Sequence, residues 1–312
     1  MRAATFINIV FYLLSASGGH LHATEKHDKT FSLTEVSAGI YVHQGKHVGL
    51  EHDHSDDIAN IGFIVGEQCI AVIDTGGSVA IGQALQKAMR SVSSLPVCYV
   101  INTHIHFDHV LGNAAFKAAE PVFVGHENLA LEMAHNRAFF LSEFRANLGE
   151  NPSAASIIGP DLTVANTLEL DLGNRIITLR AYPPSHSHTD LSVYDHNTAT
   201  LWLSDLLFVD RIPALDGSLK GWLETLDLLT AQPARRVIPG HGPVSLPWPD
   251  AADAQDTYLR MLLARTREEI AKGAFMEDII ETVGNTEKTQ WLLHEENHRR
   301  NVTRAFTELE WE

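Results

Sequence analysis

The sequence predicts an α/β fold, and three observations predict it. Short apolar runs of strand length recur between residues 31 and 241 and end in Asp, Asn, Gly or Pro. They fall into two strand-rich halves, separated by a helical stretch from His126 to Asn147 and a Pro, Ser and Gly connection from Asn151 to Asp161. From about Asp250 the pattern turns helical, over 250–272, 275–283 and 286–309. A chain of 312 residues, 45% hydrophobic and 20% charged, has ample apolar material for a large core. Its net charge of −16 argues against nucleic acid and anionic membrane surfaces as partners.

Taken in order, residues 1–23 read as an export signal. Arg2 supplies the positive start, Phe6 to Leu14 the apolar segment, and small residues follow, with cleavage expected after Ala23 or Ser17. The apolar run is too short to span a bilayer, and no later stretch reaches spanning length, so the mature chain has no expected membrane span. In a Gram-negative host the expected location is the periplasm. Phe31 to Val42 alternates as a strand. A loop from His43 to Asp57, rich in His and Asp, is expected to form a mobile flap at the mouth of the pocket, contacting substrate rather than metal. Strands Ile61–Val65 and Cys69–Ile73 meet at Gly66-Glu67, and a helix is expected over Val79–Val92. Cys69 and Cys98 could pair in an oxidising compartment, but they are expected to be separate small core residues, because one bridge makes no disulfide framework. Further strands are expected at Pro121–Val124, Thr167–Leu172, Arg175–Ala181, Leu191–Tyr194, Thr200–Leu203 and Arg236–Ile238.

The most informative stretch is Val97 to Asn113. The apolar strand Val97–Ile101 runs into Asn102-Thr103-His104-Ile105-His106-Phe107-Asp108-His109, with a helix expected from Val110 to Ala119. Along an extended strand end, positions 104, 106 and 108 project to one side. His109 joins them as the chain turns. Three imidazoles and a carboxylate within six residues are donors that Zn²⁺ accepts. A lone histidine after a core strand would be loop polarity; H-x-H-x-D-H indicates a metal site. Later candidates also sit at strand ends. His186 and His188 precede the strand at Leu191, Asp205 follows Leu201-Trp202-Leu203, and His241 stands between Gly240 and Gly242, where glycine permits close backbone approach. Asp74, in Asp74-Thr75-Gly76-Gly77, either caps a turn or orients a ligand imidazole from behind. On the last helix, His294-Glu295-Glu296-Asn297-His298 matches H-E-x-x-H, but no third donor lies nearby and the helix reads as an amphipathic packed end. His126 and His135 read as helix-face residues.

Strand, H-x-H-x-D-H, a later His, an Asp after a strand and a final Gly-His-Gly together resemble the metallo-β-lactamase superfamily over residues 31–248. The resemblance implies an αββα four-layer sandwich with metals at one edge of two facing sheets, and hence a single domain over 31–312. It implies two Zn²⁺, with Fe or Mn as other metals such a site takes. His104, His106 and a third histidine would hold the first ion; Asp108, His109 and His241 the second; Asp205 would bridge them. The family register puts the third histidine five residues before Leu191, at His186, with His188 as the alternative. Asp108 would also orient the nucleophile, a metal-bridging hydroxide. Lactamases of the superfamily usually carry Cys or Ser where Asp205 stands, whereas thioesterase-, lactonase- and phosphodiesterase-like members carry Asp. The resemblance therefore implies hydrolysis of a small-molecule ester, thioester, lactone or phosphodiester.

At finer grain, Asp57 to Phe63, Asp216 to Trp222 and His298 to Thr303 resemble exported zinc metallohydrolases of quinoprotein relay systems. That implies a link to a periplasmic pyrroloquinoline quinone (PQQ) dehydrogenase or cytochrome system. Three other readings stand beside this one. They are a single-iron site oxidising a persulfide-type substrate, a β-lactamase, and a metal-binding maturation protein for a quinoprotein.

Overall fold

The structure, a computed structural model, describes residues 31–312, so the expected signal at 1–23 lies outside the described residues. Its first sheet holds β1 (Thr34–Ser37), β2 (Ile40–His43), β3 (Ile61–Val65), β4 (Ile70–Ile73), β5 (Val97–Ile101), β6 (Val122–His126) and β7 (Leu162–Val164), hydrogen-bonded in that order. The second holds β8 (Thr167–Asp171), β9 (Ile176–Ala181), β10 (Leu191–Asp195), β11 (Thr200–Phe208), β12 (Arg236–His241) and β13 (Leu246–Pro247), in the order β13-β12-β11-β10-β9-β8. The helices are α1 (Val79–Val92), α2 (Phe107–Val110), α3 (Leu129–Glu143), α4 (Leu219–Thr230), α5 (Asp253–Ala271), α6 (Met276–Thr282) and α7 (His294–Leu309). Phe31–Glu312 form one compact unit.

Strand alternation builds the layers. In β4, Ala71 and Ile73 face a cluster shared with Leu179, Val193, Trp202 and Ile238 of the second sheet, while Ile70 and Val72 pack outward with Leu85 and Met89 of α1. In β11, Trp202 points inward, and Leu201 and Leu203 point outward to Trp222 and Leu226 of α4 and Tyr258, Leu259 and Leu262 of α5. Each sheet is therefore apolar on both faces, with helices covering the outer ones: an αββα sandwich. Ser78 starts α1 by accepting a hydrogen bond from Ile81 N, and Ser218 starts α4 through Gly221 N.

Several local expectations change. Phe31–Val42 is a hairpin rather than one strand, because Gly39 turns the chain at φ +70°. The expected helix 110–119 is one turn, α2, followed by two 3₁₀ turns, at Asn113–Ala115 and Lys117–Ala119. His126, expected on a helix face, is the buried last residue of β6, and α3 begins only at Leu129. The helix expected over 286–309 is interrupted, with α7 starting at His294 behind Leu293 at φ +58°. β11 continues through Asp205 to Phe208 by means of irregularities in its pairing with β12 around Ser204. Cys69 and Cys98, expected to be separate, form a disulfide with Cα atoms 5.7 Å apart. Parallel pairing of β4 with β5 brings them together, and that pairing is not written in their spacing.

Candidate metal centre

The end of β5, the part of β11 beyond its irregularity at Ser204, the turn before β10 and the end of β12 meet at one edge of the sandwich. There His104, His106, His186 and Asp205 offer ligand atoms within 4.8 Å of one another, and Asp108, His109 and His241 form a second group by the same measure. Asp205 touches both groups. Its Oδ2 lies 3.7 Å from His104 Nε2, 3.4 Å from His186 Nε2 and 3.2 Å from His241 Nε2, and its Oδ1 lies 3.1 Å from His109 Nε2. Asp108 Oδ2 stands 3.6 Å from His109 Nε2 and 3.5 Å from His241 Nε2. His188 is not in either group; it is exposed and lines the cavity above. Between the two histidines before Leu191, the fold turns His186 inward. The Ser187 backbone N–H and hydroxyl bond Asp190 and close the turn that does this.

Each ring is held from behind. His109 Nδ1 donates to Asp74 Oδ2 at 2.8 Å, His186 Nδ1 to Ala214 O at 2.6 Å, and His241 Nδ1 to Ile58 O at 2.8 Å. His104 Nδ1 lies 3.1 Å from Thr103 Oγ1, whose own proton goes to Asp74 Oδ2 at 2.7 Å, so the imidazole donates there too. His106 is reversed: Nε2 donates to Asp216 Oδ2 at 2.9 Å and Nδ1 faces inward. These outward bonds fix the tautomers and turn five lone pairs to the centre. His106 Nδ1 then faces His104 Nε2 at 3.1 Å and His186 Nε2 at 2.9 Å with no proton to share between acceptors. His109 Nε2 and Asp205 Oδ1 are buried without a hydrogen-bond partner. Converging lone pairs and orphaned buried atoms fit a divalent cation.

The electrostatics agree. Burial holds the His104 pKa well below its usual value, helped by His109, and burial with the nearby His106 lowers that of His186 to about 4, so both are neutral donors at pH 7. At His109, burial opposes charge, but Asp205 and Asp108 outweigh it and raise the pKa well above the usual value. At Asp205, burial is likewise overridden, by His241 and His109, and its carboxylate stays ionised. The carboxylates that favour a proton on His109 favour a cation beside its inward Nε2 in the same way, and a metal ion takes the place of that proton.

Gly240 shows why Gly-His-Gly is needed. A Cβ there would stand 1.8 Å from Asp205 Oδ1, and Gly242 adopts φ +119°. The stretches 57–63, 216–222 and 298–303 turn out to be buttresses, which sequence reasoning missed as chemistry. Asn60 donates to Pro239 O and Gly242 O, at 2.9 and 3.2 Å. Asp216 holds His106 and is itself paired with Arg300. Asn301 supports this segment from α7, accepting from Leu215 N at 2.9 Å and donating to Pro213 O at 2.7 Å. Their signal was polar residues amid apolar runs far apart in sequence.

Above the cluster lies a cavity of about 530 Å³, floored by His106, Asp108, Asp205 and His241. Phe107, Phe139, Phe140 and Phe144 line it as a contiguous aromatic patch, with Phe107 stacked on Phe144 and Phe139 and Phe140 meeting Phe144 edge-on, and Arg211, Arg300 and Arg304 also face it. The expected flap contributes Leu50, but it is anchored rather than free. His43 Nε2 donates to Asp57 Oδ1 at 2.7 Å, Lys46 pairs with the same carboxylate, and His43 stacks on Phe31.

Among solved structures, the chain is similar to a metallo-beta-lactamase from Pontibacter korlensis, with 19% identity and a TM-score of 0.60 over 73% of this chain and 98% of that one. It is also similar to the stereoselective inverting sec-alkylsulfatase Pisa1 from Pseudomonas sp., with 16% identity and a TM-score of 0.66 over 89% of this chain and 50% of that one. The DIM-1 metallo-beta-lactamase matches at 14% identity and a TM-score of 0.58, over 73% of this chain and 96% of that one. At these identities the likeness is one of fold. The family model of the metallo-beta-lactamase superfamily matches residues 54–241, more than half of the sequence. On that match the chain belongs to the metallo-beta-lactamase superfamily, whose members are metal-dependent hydrolases.

Proposed function

We propose that this protein is a dinuclear metallohydrolase of zinc type, acting on the ester, thioester, lactone or phosphodiester bond of a small molecule. One observation carries the reading: two donor groups share the single carboxylate of Asp205, an arrangement suited to two cations a few ångströms apart. His104, His106 and His186 would hold one ion, and Asp108, His109 and His241 the other. Such a pair supplies water that loses a proton near neutral pH and an electrophile for the substrate oxygen. The chain's own residues do the rest. Asp108, at the cavity floor, accepts a hydrogen bond from the attacking water and aims it. His106, fixed by Asp216, borders the substrate space, and the apolar wall displaces bulk water from the scissile bond.

The second donor group argues against the single-iron alternative, which would leave Asp108, His109 and His241 without a role. Asp205 in place of the usual Cys or Ser argues against β-lactam hydrolysis. We further propose export to the periplasm and a link to a quinoprotein oxidation system; both are carried by the sequence stretches at 1–23, 57–63, 216–222 and 298–303. A periplasmic fraction lacking the tagged protein would remove the export proposal.

Metal analysis of the purified protein decides first, with two ions per chain expected. Turnover is then measured against acyl, phosphoryl and secondary alkyl sulfate esters and a β-lactam. One iron per chain without zinc would transfer the case to the oxygenase. Two metals with no turnover on any of the panel would favour a binding or maturation role.

A further inference from the structure

Among the described residues, two arginines are buried, and their surroundings differ. Arg175, 7% exposed, is satisfied: Nε and Nη2 donate to the two oxygens of Asp195 at 2.8 and 3.0 Å, and Nη1 to Val65 O at 2.8 Å. Arg211, 5% exposed, has no carboxylate within ion-pair distance; Nη1 reaches Val48 O at 3.4 Å, and Nε has no partner. A guanidinium cannot shed its proton to escape burial, so an uncompensated one is costly to the fold. Arg211 faces the cavity above the donor cluster, three residues beyond β11. Arg304 faces the same cavity and has no ion pair among the described residues, while Arg300 is committed to Asp216. The cavity also exposes large apolar side chains: Phe139 is 52% and Leu50 57% exposed.

We infer that the substrate is an amphipathic anion, its carboxylate-like acid group held by Arg211 and its hydrocarbon part laid against the phenylalanine wall. This rests on the hydrolase reading and narrows it: the bond cleaved belongs to a molecule that also carries a remote acid group. Planar, fork-like donation from Arg211 matches a carboxylate, and Arg304 adds long-range attraction at the rim. In a chain of net charge −16, the guanidinium charge offsets the long-range repulsion of an anion at this wall of the cavity, away from the donor cluster.

Calorimetry on the metal-loaded protein tests this with octanoate, octyl sulfate, octanamide and acetate as probes. Octanoate should bind about tenfold or more tightly than octanamide, the effect of one charge-assisted hydrogen bond, and more tightly than acetate. Arg211→Gln should level octanoate with octanamide, and Arg211→Lys should retain part of the preference. Octyl sulfate binding tighter than octanoate would replace the carboxylate by a sulfate. Octanamide binding as well as octanoate, or a preference that survives Arg211→Gln because the carboxylate sits on the metals, would overturn the assignment. Should Arg211→Gln misfold, Arg304→Gln on the surface serves, with an expected two- to threefold weakening of octanoate alone (about the worth of one exposed charge); equal weakening of both probes, or of neither, would count against the proposal. In parallel, 4-nitrophenyl octanoate is compared with the mono-4-nitrophenyl ester of suberic acid. Arg211-dependent octanoate binding without turnover of either ester would sink acyl hydrolysis and keep the anion site. Turnover of both at equal kcat/KM would do the reverse.

Discussion

H-x-H-x-D-H at 104–109 and H-E-x-x-H at 294–298 both present histidines at metal-binding spacing, yet the fold uses them in opposite ways. At the first, each ring spends one nitrogen on a neighbour behind it and turns the other toward the centre. At the second, His298 spends both: Nδ1 lies 3.0 Å from Tyr258 Oη and Nε2 2.6 Å from Val283 O. His294 and His298 stack with centroids 4.3 Å apart, and Glu295, the acid of the motif, is exposed and paired with Lys288. Among the described residues, no metal-capable group includes them. His294 keeps both ring nitrogens buried without a hydrogen-bond partner, yet among the described residues it belongs to no group of three donors, so a metal motif is identified by unspent nitrogens that converge with other donors rather than by spacing.

Substitutions can break that comparison. The largest effect is expected at the shared carboxylate and the inward rings. His104→Ala, His186→Ala or Asp205→Ala should lower metal content and turnover by at least about a hundredfold, beyond what removal of an outer partner costs. Asp108→Asn should abolish turnover while circular dichroism reports an intact fold. Next comes Asp74→Ala, which removes the acceptor for both His109 and Thr103 and should weaken metal binding about 10- to 100-fold by competition with a chromogenic chelator. Asp216→Asn should act on His106 in the same way but at the lower end, about tenfold, since Asp216 is only part-buried. His188→Ala, on an exposed ring, should leave metal affinity within about twofold. At the bottom of the scale, His298→Ala should leave metal content untouched and lower stability by about 1–3 kcal/mol in urea unfolding, the cost of its lost hydrogen bonds and their stranded partners. Metal loss in that variant would erase the distinction between the two motifs.

How much was legible follows local chemistry. The strands around Val97–Ile101 and Leu191–Tyr194 and the helix Val79–Val92 declared themselves, because their apolar residues are consecutive or periodic over many positions. β7 and β13 did not; they are two or three residues long and owe their existence to pairing partners. The 3₁₀ turns after α2 were mistaken for helix because Asn113–Ala119 is locally compatible with either. Its hydrogen bonding was decided by contacts such as Thr75 Oγ1 to Asn113 Oδ1 at 2.9 Å. Asp216, Arg211 and Arg304 gave no sign of facing the cavity, since nothing in a single charged residue reveals what lies opposite it.

Donor identity belongs to the sequence alone: H-x-H-x-D-H after an apolar strand and a histidine between glycines specify which atoms are available and that strand ends carry them. Tertiary structure decided everything that depends on direction. It selected His186 over His188, placed Asp205 between two groups, and chose the inward nitrogen of each ring through acceptors as remote as Ile58 for His241, 183 residues apart. The reason is physical. A donor type is a property of one side chain, whereas the orientation of its lone pair is set by whichever distant group claims its proton.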